Sequence, residues 1–149
     1  MFKKVLLSLF ILLSSKSFGY SQQNYMRDFG EIIKQENSVS NQVYIFERCA
    51  GLLSAIGARF VGSGRADAKD AGEKMIAMGS EFMIVALTVA KSGNLNYTEQ
   101  NAITESIEIG KIYKSIMDDN HRRTGNAIAG QILDDQRICG FFYKELSGQ

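Results

Sequence analysis

The sequence predicts an all-α fold: an up-down-up-down four-helix bundle with an additional short N-terminal amphipathic helix. Three observations carry that expectation. The 149 residues include no proline, where average usage would supply about seven; proline interrupts helices, so its absence suits long continuous ones. Apolar residues recur at spacings of three and four along nearly the whole chain, the period of one helix face. The breaks between these stretches are short and rich in glycine and asparagine, and short connections between long helices favour antiparallel neighbours.

Residues 1–19 have the form of a secretory signal peptide. Lys3 and Lys4 precede a short apolar core from Val5 to Leu13, and Ser17 and Gly19 place small side chains where a signal peptidase reads them, predicting cleavage before Tyr20. The apolar core is about half of the ~20 residues a membrane crossing needs. Residues 20–149 then form a single helical domain in the periplasm or outside the cell.

Removing 1–19 takes away Lys3, Lys4 and Lys16 and no acid. The 17 basic and 16 acidic residues become 14 and 16, a formal charge of −2. Neither nucleic acid nor an anionic lipid surface, both of which call for concentrated basic charge, is an expected partner.

The first helix, α1, is expected over about 23–36, with Tyr25, Phe29, Ile32 and Ile33 on one side. Helix α2 is expected to start near Ser40 or Asn41, both good caps, and to run to Val61, where Gly62, Ser63 and Gly64 stop it. Its core positions include Val43, Phe46, Cys49, Leu53, Ile56 and Phe60, and its small residues Gly51, Ser54, Ala55, Gly57 and Ala58 allow a neighbour to approach closely.

Helix α3 is expected from Ala66 to Lys91, with Asp67, Asp70 and Glu73 at its positive N-terminal end. Its apolar arc spans roughly 200°, twice what a bundle helix uses. Either α3 is the most buried helix, with the 23–36 segment over its outer side, or it presents an interaction surface through Met75, Met78, Met83, Ile84 and Leu87. No stable membrane span is expected in the mature chain, because the apolar stretch is short and carries Glu81.

Asn96 and Glu99 resemble a capping box that starts α4 at Tyr97. Its core stripe reads Ile103, Ile107, Gly110, Tyr113, Ile116 and Met117, ending near Asn120. Helix α5 is expected over 125–146, with Ile128, Ile132, Cys139, Phe142 and Leu146 on one side.

Two cysteines in an exported chain predict a disulfide, Cys49–Cys139, between the first and last long helices. Cys49 lies about 12 Å from the start of α2 and Cys139 about 11 Å from the end of α5. Those heights meet if the two helices are antiparallel.

Candidate chemistry is thin. His121, the only histidine, sits with Arg122 and Arg123 in a polar segment that could contact an anion or a partner's carboxylate. Asp118 and His121 have the spacing of one half of a di-iron unit, but no second histidine completes it. Glu105 and Glu108 could pair as acid and base, or Glu108 could simply reach Lys111 and Lys114. Asp135 falls near the apolar side of α5, and if buried it needs a partner such as Arg48 or Arg137. No catalytic residues, metal or cofactor are expected, since no phosphate loop, dinucleotide fingerprint or zinc-protease motif occurs.

The expected role is therefore non-enzymatic protein–protein contact, as an inhibitor, accessory subunit or assembly factor, with an unknown protein partner or as a homo-oligomer. A bundle binding a small apolar ligand, with Met75, Met78, Phe82 and Phe142 around it, is the alternative. An enzyme relying on carboxylates such as Glu105 or Asp118 is the third reading.

Overall fold

The computed structural model describes residues 28–34 and 38–148. Residues 1–19, the expected signal peptide, with the expected cleavage site before Tyr20, and Tyr25 lie outside the described residues. Among the described residues five helices follow in order: α1 Phe29–Lys34, α2 Val39–Val61, α3 Ala66–Ser92, α4 Glu99–Thr124 and α5 Gln131–Ser147. They pack as a helical bundle around one main apolar core.

The helix directions alternate, and cross-helix contacts show it. Gly57 of α2 lies against Gly72 of α3, while Ala50 and Ser54 lie against Gly79, so the two run antiparallel. Along α2 and α4 the contact pairs advance together, from Gly51 with Ile109 to Arg59 with Asp118. Those two helices are parallel. Against α5, Arg48 meets Asp135 and Phe46 meets Phe142, an antiparallel pairing. The Cys49–Cys139 disulfide joins α2 to α5 with the Cα atoms 5.4 Å apart, as antiparallel helices stapled at matching heights require.

Helix α2, rather than α3, is the most enclosed element. It buries residues from Val43 through Gly57, including the charged Glu47 and Arg48, whereas α3 buries Gly72, Gly79, Phe82, Ala86 and Ala90. The reason is backbone proximity. A Cβ on Gly57 would sit 2.6 Å from the Gly72 carbonyl oxygen, and a Cβ on Gly72 would sit 2.6 Å from that of Gly57. The small residues of α2 thus let α3 press onto it, and the broad apolar arc of α3 stays largely outside. By length and composition α3 could cross a membrane, and 22% of its most apolar window is buried.

The described part of the 23–36 segment, α1, packs into the main core beside α2 rather than over the outer side of α3. Phe29 and Ile32 are buried in the main core, with the Phe29 ring 4.4 Å from the Arg48 guanidinium of α2. The Asn41 side chain reinforces this placement by donating to the Ile32 carbonyl at 3.1 Å.

Four helix ends differ from the expectation, each for a local reason. Ser38 starts α2, its hydroxyl accepting from the Asn41 amide at 3.2 Å. At α4 the capping box is Thr98 with Asn101, which places the first helical residue at Glu99 rather than Tyr97. That helix also runs one turn further, to Thr124, where Gly125 with φ 74° supplies the left-handed cap. Helix α5 begins only at Gln131. Gly130 (φ 53°, ψ −129°) takes a backbone conformation that side chains resist, and the Asn120 amide holds the connection by donating to Ala127 and Ala129 carbonyls.

Candidate functional site

Helix α5 occupies one side of α2, and on the opposite side α3 and α4 diverge to leave a cleft. Its floor is the small-residue face of α2, Ser54, Ala55 and Ala58. Met83 of α3 forms one wall; Ile103, Ile107 and Gly110 of α4 form the other. Arg59, Lys111 and Lys114 rim one end. This open, mainly apolar part encloses about 560 Å³.

Ile103 and Ile107 are 37% and 52% exposed, although their spacing assigns them to the core. The buried face of α4 is instead Ala102, Ser106, Ile109, Tyr113, Met117 and Asn120. Close approach to α2 decides this register: Ile109 packs against Gly51 so tightly that a Cβ there would lie 2.6 Å from its Cγ2. Small Ala102 and Ser106 face α2, and the two isoleucines turn into the cleft. Ser106 Oγ, buried where α4 meets the cleft, has no hydrogen-bond partner, the only buried side-chain polar atom in that position among the described residues. An unpaired buried hydroxyl costs roughly 1–3 kcal/mol.

A second, smaller hollow lies beside the α3–α4 connection. This chamber of about 230 Å³ lies among Val43 and Glu47 of α2, Leu95 and Tyr97 of the connection, and Glu105 of α4. Glu47 is 2% exposed and accepts a hydrogen bond from the Tyr97 hydroxyl. Burial pushes its carboxyl up to about 8, with the Glu105 carboxylate adding to the effect. Glu47 is therefore mainly protonated at neutral pH, able to donate as well as accept.

A second buried charged group, the Arg48 cluster, belongs to the architecture. The Arg48 guanidinium donates to the Tyr113 hydroxyl at 2.7 Å and to Asp135 at 2.7 Å, and Tyr113 donates in turn to Asp135. Burial alone would lower the Arg48 pKa, but Tyr113 and Asp135 together hold it above its ordinary value. Burial likewise raises the Tyr113 hydroxyl well above its usual range. Of the two partners anticipated for Asp135, the structure selects Arg48; Arg137 pairs with Asp134 at 3.6 Å.

The anticipated surface residues divide. Ile84 is 65% exposed. Met75, Met78 and Met83 are half-buried and pack against the core, as does Phe142, while Phe82 lies wholly inside it. The methionines and phenylalanines expected around an internal ligand therefore fill the core, and the apolar space lies between α3 and α4.

His121, Arg122 and Arg123 stand on the last turn of α4, not in a turn beyond it. There, positive charge favours the negative helix end. Arg122 and Arg123 both pair with Asp119, at 3.3 and 2.9 Å, and the His121 ring nitrogen Nδ1 lies 3.2 Å from the Gly125 carbonyl. Asp118 is not joined to His121. Lys114 and then Arg59 bond it and hold its carboxyl below the usual range. Glu108 pairs with Lys111 at 2.6 Å.

Among the described residues no group of three His, Cys, Asp or Glu side chains is placed to hold a metal ion. Glu47 and Tyr97 were absent from the sequence-derived candidates. Glu47 nevertheless lies four residues from both Val43 and Gly51 on the buried face of α2, which marks it as an acid in a core stripe. Compared with protein-family models, curated proteins and solved structures, the chain matches none.

Proposed function

We propose that this is an exported helical protein acting by protein–protein contact, which holds an apolar helix of a partner in the cleft between α3 and α4. The carrying observation is the exposure of Ile103 and Ile107 over a floor of Ser54, Ala55 and Ala58. Small residues below and branched apolar residues at the wall suit a helix laid in a groove. Lys111 and Lys114 at the rim already pair with Glu108 and Asp118, at 2.6 and 2.7 Å, so apolar contact carries the reading. The disulfide fits an oxidising compartment and so supports export.

The test is a photo-crosslinker at position 107 in the native cell envelope, with the attached peptide identified by mass spectrometry. The expected product is one recurring apolar helix, lost in the Ile103→Asp/Ile107→Asp variant and retained when the exposed Glu145 is changed. Labelling unaffected by the double change, or confined to lipid, overturns the reading.

The smaller, partly open chamber favours a second reading, a small apolar ligand with a polar end. Val43, Leu95 and Tyr97 supply the apolar wall, and Glu47 and Glu105 converge at one end. Native mass spectrometry of the exported protein distinguishes the two: a retained small molecule lost on Glu47→Ala supports the ligand, and a clean apoprotein mass removes it.

A further inference from the structure

The outer face of α3 carries a pattern that matches itself when reversed. Glu73, Ala77, Ser80, Ile84, Leu87 and Lys91 recur at alternating spacings of four and three, the seam of a helix pair. Five of the six are exposed and Leu87 is half-buried. When two such helices lie antiparallel about an axis level with residue 82, Glu73 faces Lys91 of the second copy. Ala77 then faces Leu87, and Ser80 faces Ile84. Every acid meets a base and every small residue meets a large one, in both directions at once. That is the condition for an isologous two-fold contact.

The polar groups on this face are prepared for loss of water. The Ser80 hydroxyl donates to the Ile76 carbonyl at 3.1 Å and Thr88 to the Ile84 carbonyl at 2.8 Å, so covering them strands no donor. The exposed Leu146 of α5 shares a small cavity with Glu81 and Val85 and widens the patch. The seam from Glu73 to Lys91 is about 27 Å long.

The geometry points to a homodimer in which a second copy of this chain docks on the outer face of α3, antiparallel, with Glu73 and Lys91 paired across a two-fold axis. This surface is separate from the α3–α4 cleft, and the dimer stands or falls independently of the partner bound there.

Sedimentation velocity of the exported chain at about 1 to 100 µM tests it, a range that spans the affinity of a small interface. The native chain is expected to pass from monomer to dimer. Glu73→Lys, which turns two attractive pairs into two repulsive ones, weakens the dimer about tenfold or more. The swap Glu73→Lys/Lys91→Glu restores it, and Ile84→Asp abolishes it. All these positions are exposed, and helical circular dichroism checks that each variant folds. The cleft variant Ile107→Asp leaves the dimer intact. A chain that stays monomeric at the highest concentration overturns the proposal, as does a Glu73→Lys variant that dimerises as well as the native chain, or a double swap that fails to recover.

Discussion

Tyr97, in the connection between α3 and α4, donates its hydroxyl hydrogen bond to the Glu47 carboxyl buried in α2, joining positions 50 residues apart. The contact ties the α3–α4 connection to α2 beside the smaller chamber. Glu47 accepts that bond without a basic side chain lining the chamber around it, and its burial, with the nearby Glu105 carboxylate, gives the site its pH behaviour.

Stability is expected to fall as pH rises from about 4.5 to about 8, the interval between the ordinary and the buried Glu47 values. In that window the unfolded chain has released the Glu47 proton and the folded chain has kept it, so unfolding is favoured progressively. Above it the difference is constant, on the order of 5 kcal/mol for this group. Glu47→Gln keeps the shape and removes the titration. Urea unfolding should show the variant gaining on the native chain from pH 5 to pH 8, with no gain near pH 4.

Breaking the Arg48–Asp135 pair should be costly. Both side chains are almost fully buried, and removing one partner leaves an uncompensated charge worth about 3–5 kcal/mol. Asp135→Asn and Arg48→Met are each expected to lose that much in denaturant unfolding. Changing Arg48→Met and Asp135→Leu together should cost clearly less than the sum, because no charge is left stranded.

The Cys49–Cys139 bridge closes a separation of 90 residues. Its removal by Cys49→Ala/Cys139→Ala is expected to cost about 2–5 kcal/mol. Thermal unfolding with and without a reductant checks this: reductant should lower the melting temperature of the native chain and leave that of the variant unchanged.

Two glycines should respond in opposite senses to the same change. Gly57→Ala forces a methyl to within 2.6 Å of the Gly72 carbonyl oxygen and should destabilise by about 1–3 kcal/mol or more. Gly140, inside α5, has nothing within 4 Å of a Cβ, so Gly140→Ala should stabilise by roughly 0.5–1 kcal/mol. Melting temperatures of the two variants, measured side by side, suffice.

Much of the candidate site escaped sequence reading for a specific reason. Ile103 and Ile107 carry the ordinary helical spacing of core residues, and periodicity cannot distinguish a face packed on a neighbour from one turned into a gap. What turned them was the Gly51–Ile109 contact, a property of two helices rather than one. Glu47 escaped because an acid in an apolar stripe reads as an error unless its surroundings are known. Asp135 was more legible, since its place near the apolar side of α5 already demanded a cation.

Local chemistry alone determined the all-α class, the four long helices, their alternating directions and the cysteine pairing. These follow from backbone propensity, apolar period and short connections, which act within a few residues of each position. Tertiary packing decided which helix is enclosed, where α4 presents Ile103 and Ile107, and that Glu47 meets Tyr97. The physical cause is close backbone approach at Gly51, Gly57 and Gly72, which sets the spacing and rotation of helices far apart in the chain.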